Sequence, residues 1–140
     1  TAYNKLHPDK QLDPWEFKDL FDAVANSLGL SGEFSERNLN EGFSGGEKKK
    51  SEVLQMLLLE PKLAILDEID SGLDIDSLKL IFNEINIFMN ETDAALLIIS
   101  HNPSILEYIK PTQVHLLENG KLTKSGSIEL AQSIIESGYE

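Results

Sequence analysis

Four short groups of residues in this 140-residue sequence are candidates for phosphate chemistry. The first is Ser44-Gly45-Gly46-Glu47, in which a hydroxyl and two glycines open a predicted helix. Backbone N–H groups at a helix start attract anions, and glycine permits a close approach that a side chain would block. A flexible loop followed by a capped helix explains the same four residues equally well.

The second group is a pair of acids, Asp67 and Glu68, at the end of the apolar run Leu63–Leu66. In α/β folds, ligands bind beyond the carboxyl ends of the strands. There, one carboxylate could hold the Mg²⁺ of a nucleotide and the other could orient an attacking water. A strand that simply ends in an acidic turn is the alternative.

The third and fourth groups are weaker when each is taken alone. Ser71-Gly72-Leu73-Asp74 follows the acids and by itself indicates a turn and a helix cap. His101 follows a second apolar run, and a histidine there can donate a hydrogen bond to a phosphate. A lone histidine after a strand is more often incidental.

Helix signals place the first group at the start of an element. Asp13, Pro14 and Glu16 predict a helix start, and apolar residues follow at helical spacing until Gly29. Ser44 and Glu47 fit a capping box for a second helix, which should run to about Glu60 because Pro61 ends it.

The remaining pattern alternates strands with helices and predicts an α/β fold with a largely parallel sheet. The predicted elements are buried strands at Leu63–Leu66 and Ala94–Ile99, a helix over Leu78–Met89, a short helix from Asn102-Pro103 to about Ile109, a hairpin of Val114–Leu117 and Lys121–Lys124 around Asn119-Gly120, and a helix from Ser127 to about Ser137. We expect residues 1–39 to form a mostly helical segment and residues 40–140 the core.

Composition excludes several classes of function. The net charge of −12 argues against a nucleic-acid partner or an acidic membrane face. The absence of cysteine excludes disulfides and thiolate metal sites. The longest apolar runs fall short of the ~20 residues that cross a bilayer, so no membrane insertion is expected. No signal peptide is visible in Thr1–Lys10.

Taken together, the order and spacing of the four groups resemble the ATP-binding-cassette (ABC) ATPases over Asn40 to Gly126. They match the signature, Walker B, D-loop and H-loop motifs of that family. The resemblance implies a partial P-loop NTPase fold, with a helical subdomain and the C-terminal part of the RecA-like core.

Details resemble the SufC family, the cassette ATPases of the SUF iron–sulfur cluster assembly system. Phe43 and Glu47 flank the signature where transporter cassettes usually carry Leu and Gln, and Ile69-Asp70 replaces the usual Pro-Thr after the catalytic acid. Lys50 and Asn102 depart from that family, which usually has Arg and an aromatic residue there.

The resemblance implies a role for each group. Asp67 would hold Mg²⁺ through water, Glu68 would polarise the attacking water and His101 would contact the γ-phosphate. The nucleotide-binding set would be Ser44, Gly45, Gly46, Glu47, Ser71 and Asp74. ATP would drive homodimerisation, with the signature reaching the partner's ATP and Ser71–Asp74 contacting across the dimer. The implied partners are the SufB and SufD scaffold proteins, in bacterial cytoplasm or in plastid or apicoplast stroma.

One motif of the family is absent. No G-x-x-x-x-G-K-[ST] occurs in the 140 residues, so the chain is expected to be a C-terminal fragment that is inactive alone. A nucleotide-binding subunit of a transporter and a non-enzymatic regulatory cassette are the alternatives. One of Lys48, Lys49 and Lys50 is further hypothesised to pair with Glu68, because the signature helix leads directly into the Walker B strand.

Overall fold

The computed structural model describes residues 2–30 and 43–137. The chain divides into two compact units, Thr1–Ile99 and Ser100–Glu140. The boundary predicted between residues 39 and 40, and the predicted motif residues Asn40, Glu41 and Gly42, lie outside the described residues. No helix in the described ranges combines the length and hydrophobicity that a membrane span requires.

The first unit contains four α-helices and two strands within its described residues. These elements are α1 (Ala2–Leu6), α2 (Pro14–Ser27), α3 (Gly45–Leu59), β1 (Leu63–Asp67), α4 (Ile75–Glu91) and β2 (Ala95–Ile99). Strands β1 and β2 pair in parallel, with Leu63 opposite Ala95 and Asp67 opposite Ile99. Because α4 connects the two strands, this part of the chain is a β-α-β unit, as the sequence predicts.

Capping interactions set the limits of α2 and α3. The Asp13 carboxylate accepts hydrogen bonds from the Trp15 and Glu16 N–H groups, and the Glu16 carboxylate accepts one from the Asp13 N–H. Ser44 and Glu47 form the same reciprocal pair at the start of α3. Each pair satisfies orphan donors at a helix start, so both predicted capping boxes are confirmed.

The core of the first unit surrounds α3, which packs against α1, α2 and α4. Its fully buried members include Leu28, Val53, Leu54, Ile81, Phe82 and Ile85. The apolar positions of α4 predicted from helical spacing supply much of this core, as expected for a stripe that faces inward.

The prediction that both strands are buried is wrong. Strand β1 alternates, with Ala64 and Leu66 buried while Ile65 is 59% exposed. No residue of β2 is fully buried, and Leu97 and Ile99 are about half exposed. Among the described residues, the packing covers only one face of this two-stranded sheet, so the strands alternate instead of being buried on both faces.

The second unit contains a short 3-10 helix (Pro103–Glu107), the strands β3 (Val114–Glu118) and β4 (Lys121–Gly126), and helix α5 (Ile128–Ser137). The strands are antiparallel, and Asn119 and Gly120 both have positive φ between them, at 50° and 74°. A two-residue turn of this kind requires left-handed backbone, which Asn-Gly adopts readily, so the predicted hairpin is confirmed. Helix α5 packs against both strands.

The predicted helix from Asn102 to about Ile109 is a shorter 3-10 helix instead. The Asn102 side chain accepts a hydrogen bond from the Ser104 N–H at 3.1 Å, which confirms the predicted cap. The bonds that follow run from Ile105 to Asn102 and from Tyr108 to Ile105, three residues back. Such a segment is typical of a connector, because longer 3-10 runs are unfavourable.

Ser51 is a polar residue inside α3 that nothing in the sequence pattern singles out. It is 1% exposed, and its hydroxyl has no hydrogen-bond partner among the described residues. Burying an unpaired hydroxyl costs free energy, and alanine has the higher helix propensity.

We therefore expect Ser51→Ala to raise the free energy of unfolding by about 1 kcal/mol. Ser44→Ala in the same helix removes an N-cap and should lower it by about 1 kcal/mol. Chemical denaturation of the two variants measures both changes. If both variants were destabilised equally, Ser51 would have a native partner after all.

Candidate functional site

The signature residues lie at the start of α3, where the sequence predicted them. The Ser44 hydroxyl accepts a hydrogen bond from the Glu47 N–H at 3.2 Å, and the Glu47 carboxylate accepts one from the Ser44 N–H at 2.8 Å. The first turn of this fifteen-residue helix therefore has a fixed direction, and it carries the positive end of the helix dipole.

Two glycines follow the cap, and the fold itself does not require either of them. Neither Gly45 nor Gly46 has a positive φ. A Cβ at Gly45 would meet none of the described residues within 4 Å, and one at Gly46 would make only ordinary contact with Leu73 at 3.4 Å. Glycine inside a helix costs about 0.5–1 kcal/mol relative to alanine. Among the described residues, the space above Gly45 is therefore open.

Asp67 and Glu68 lie at the carboxyl end of β1, and both are exposed. Glu68 has a φ of +48°, which is left-handed backbone. For a residue other than glycine this conformation costs roughly 1–2 kcal/mol. The Glu68 N–H donates to the Ile99 carbonyl at 2.8 Å, so the pairing of β1 with β2 continues through the acid. Backbone strain of this kind is common at functional positions.

Contacts within the first unit bring the signature helix and the strand end together. The Lys49 ammonium donates to the Asp67 carbonyl at 3.4 Å, and the Leu73 side chain lies beside Gly46. A lysine of the signature helix thus reaches the end of β1, where it contacts the Asp67 carbonyl oxygen. The pairing of a lysine with the Glu68 carboxylate stays a prediction.

The loop Ser71–Asp74 connects β1 to α4. Ser71 donates from its N–H and from its hydroxyl to the Glu68 carbonyl, at 3.1 and 2.9 Å. Asp74 is the N-cap of α4 and accepts hydrogen bonds from the Ser77 N–H at 2.8 Å and the Ser77 hydroxyl at 3.1 Å. These two bonds, the backbone one first, lower the pKa of Asp74 below its ordinary value of 3.8. The helix-cap alternative is thus confirmed for Asp74, and its contact across a dimer stays a prediction.

His101 lies at the start of the second unit, two residues after β2. Next to it, the Asn102 N–H donates to the Ser100 hydroxyl at 3.0 Å, which fixes the backbone before the 3-10 helix. The other predicted site residues all belong to the first unit. The contact of His101 with a γ-phosphate stays a prediction.

The donor set fits a nucleotide-bound Mg²⁺ better than a metal held by protein alone. No group of three or more His, Cys, Asp or Glu residues in the described ranges could hold a metal ion. Asp67 offers a single exposed carboxylate at the strand end. Mg²⁺ in nucleotide sites keeps several waters and takes one or two carboxylates together with substrate phosphates, and Asp67 meets that requirement.

A family model described as "AAA domain, putative AbiEii toxin, Type IV TA system" matches residues 3–107. That span covers all of α1 except its first residue, α2 to α4, both parallel strands and every proposed site residue. The chain belongs to this AAA-domain family.

Curated relatives of this AAA-domain chain are similar over nearly all of it. "Probable ATP-dependent transporter ycf16" of Trieres chinensis is 46% identical over 99% of this chain and 56% of its own length. "Probable ATP-dependent transporter slr0075" of Synechocystis is 47% identical over 94% of this chain and 51% of its own length. "Iron-sulfur cluster assembly protein SufC" of Plasmodium berghei is 43% identical over 99% of this chain and 38% of its own length. The chain thus spans about half the length, or less, of these relatives.

Solved structures confirm the fold. MJ1267, described as an ATP-binding cassette of an ABC transporter, matches with a TM-score of 0.68 and 24% identity over 96% of this chain and 52% of that one. The dimeric bacterial ABC transporter cassette MJ0796 matches with a TM-score of 0.72 and 14% identity over 91% and 56%. The AAA-domain chain therefore has the predicted α/β fold, part of the P-loop NTPase core of ABC cassettes.

Two features of the site have no signal in the sequence. A left-handed conformation at Glu68 is not predicted by its residue type, since Glu rarely adopts it. The contact of Lys49 with the Asp67 carbonyl joins residues 18 positions apart, and the sequence indicates only that the two elements are neighbours. Both depend on how α3, β1 and β2 pack together.

Asp74 gives a prediction about pH. The pKa of Asp74 is lower in the folded protein than its ordinary value of 3.8. The cap therefore stabilises the fold fully at any pH above 3.8, and this stabilisation is lost as the pH falls through the folded pKa. We expect Asp74→Ala to lower Tm at neutral pH and the difference from wild type to close below pH 3.8.

The matched control is Asp76→Ala, which removes a carboxylate from the same first turn without removing the cap. Thermal melts between neutral and acidic pH measure both variants. If the Asp74 and Asp76 variants gave the same profile, the cap would not be the source of the effect.

Proposed function

We propose that the whole protein is an ABC-type ATPase and that this chain supplies its signature and Walker B elements. The observation that carries the proposal is the pair of glycines, Gly45 and Gly46, that the fold does not require at a capped helix start, in a chain that also exposes Asp67 and Glu68 at the end of β1. Open N–H groups, small side chains and two carboxylates are the groups that a triphosphate and its Mg²⁺ use.

Each residue then has a defined task. Asp67 would hold Mg²⁺ through water, and the ion when bound neutralises charge on the phosphates. Glu68 polarises the attacking water from an exposed position at the strand end. His101 donates a hydrogen bond to the γ-phosphate.

We further propose that two copies act together on ATP. A Cβ at Gly45 would meet none of the described residues within 4 Å, and this open side of the turn suits a γ-phosphate presented by a partner subunit. Glu47 holds Ser44 in place for that contact, and Ser71 and Asp74 lie in the loop that follows the acids. The similarity in fold to MJ0796, a dimeric cassette, supports this arrangement.

The finer proposal is a role in SUF iron–sulfur cluster assembly, with SufB and SufD as partners. It is supported by 43% identity to the SufC of Plasmodium berghei and by the Phe43–Glu47 signature and the Ile69-Asp70 pair. ATP hydrolysis would change the conformation of the scaffold, in bacterial cytoplasm or in the stroma of a plastid or apicoplast.

The alternative is a nucleotide-binding subunit of an ABC transporter, which the names of the ycf16 and slr0075 relatives favour. Affinity purification of the whole protein separates the two. Recovery of SufB and SufD supports the cluster-assembly role, and recovery of a membrane permease supports the transporter.

Glu68→Gln tests the assignment of the catalytic acid. The change keeps the shape of the side chain and removes its charge, so we expect ATP binding by the whole protein to persist while turnover falls roughly a hundredfold. Steady-state phosphate release and nucleotide affinity are the measurements. Turnover within about threefold of wild type would contradict the assignment, since general base catalysis contributes at least a hundredfold.

Gly45→Ala tests the open turn. The added Cβ meets none of the described residues within 4 Å, so the free energy of unfolding should rise by up to about 1 kcal/mol. The same Cβ enters the space proposed for the γ-phosphate, so ATP-dependent dimerisation and turnover should fall at least about tenfold. Ser51→Ala, which changes the buried side of the same helix, is the control and should leave turnover unchanged. A stable Gly45→Ala protein with normal turnover would exclude the turn from the site.

A further inference from the structure

The backbone of Glu68 is held on both sides by hydrogen bonds. Its N–H donates to the Ile99 carbonyl at 2.8 Å. Its carbonyl accepts two bonds from Ser71, one from the N–H at 3.1 Å and one from the hydroxyl at 2.9 Å. A glutamate with a φ of +48° is unfavourable in isolation, so the surrounding bonds must maintain this conformation.

The residues that follow Glu68 leave little freedom elsewhere in the turn. Ile69 is 1% exposed and Asp70 is 7% exposed, so both are anchored by burial. Glu68 itself is exposed. If the turn relaxes, the change therefore falls mainly on the φ and ψ angles of Glu68. These angles set the direction of its Cα–Cβ bond and hence the position of its carboxylate.

The hydroxyl of Ser71 adds to a contact that its own N–H already makes. The N–H alone closes the turn, and an alanine at this position would keep that bond. Closing the chain therefore does not require the hydroxyl. Its effect is to add a second donor to the Glu68 carbonyl, which restricts the rotation of the peptide plane between Glu68 and Ile69.

We propose that Ser71 is a positioning residue that keeps the Glu68 backbone left-handed and so keeps the Glu68 carboxylate directed at the attacking water. The inference rests on the proposed function of Glu68. It assigns Ser71 a task within its own subunit, which differs from the contact across a dimer expected from sequence. Without the hydroxyl, the Glu68 carbonyl keeps only its bond from the Ser71 N–H, so the peptide plane after Glu68 rotates more freely and the carboxylate is held less firmly in position.

Ser71→Ala in the whole protein tests this proposal. We expect kcat to fall roughly tenfold, less than the hundredfold that a 1 Å displacement of a reacting group can cost. KM for ATP and ATP-dependent dimerisation, followed by light scattering, should not change. Ser71→Thr keeps the hydroxyl and should restore most of kcat. Adding Ser71→Ala to Glu68→Gln should not lower the residual rate further, because Ser71 acts only through Glu68.

Ser27→Ala is the matched control. The Ser27 hydroxyl donates to the Val24 carbonyl three residues earlier at 2.9 Å, the same spacing and distance as the bond from Ser71 to Glu68. Ser27 lies at the end of α2, away from the proposed site residues in sequence. The two alanine variants should lower Tm by similar amounts, and only Ser71→Ala should lower kcat.

Three results would overturn the positioning role. These are a kcat for Ser71→Ala equal to that of wild type, an equal loss in Ser27→Ala, or a loss fully explained by weaker dimerisation. Failure of the proposed function is a separate outcome. Normal turnover in Glu68→Gln removes the catalytic role of Glu68, whereas an inactive Glu68→Gln beside a fully active Ser71→Ala removes only the role of Ser71.

Discussion

The capping of α3 by Ser44 and Glu47 is the interaction on which the candidate site depends. It fixes the first residue of the helix, so the two glycines that follow lie in the first helical turn and present open backbone there. At the other end Glu60 takes a left-handed conformation, with a φ of 43°, and Pro61 prevents further helix. A helix of fixed length then leads directly into β1, and Lys49 ties its first half to the end of that strand.

The features predicted correctly from sequence are those that local interactions determine. A capping box needs only residues three positions apart, and the turn of the hairpin needs only Asn119 and Gly120. These elements therefore appear in the structure within one or two residues of their expected limits. The acids at the end of β1 also followed from local sequence, because an apolar run that stops at a carboxylate marks the end of a strand.

The features predicted wrongly or not at all depend on distant parts of the chain. Apolar strands look the same in sequence whether one face is covered or two, so the burial of β2 was overestimated. The backbone of Glu68 is fixed by hydrogen bonds to the Ile99 carbonyl on β2 and from Ser71. Neither bond can be predicted from the presence of a glutamate at this position. The structure thus adds to the expected pair of acids the strained turn on which one of them lies.

The alternation along β1 has a consequence for how this segment can change in evolution. Ala64 and Leu66 point into the core, so Asp67 points to the opposite, exposed side by the parity of the strand. Inserting or deleting a single residue within β1 would reverse that parity, directing the carboxylate inward and an apolar side chain outward. Insertions or deletions within β1 should therefore involve two residues at a time. The segment between α4 and β2 is not part of a strand, so strand parity does not restrict its length. The length of β1 is therefore restricted in evolution by the orientation of the Asp67 carboxylate as well as by packing.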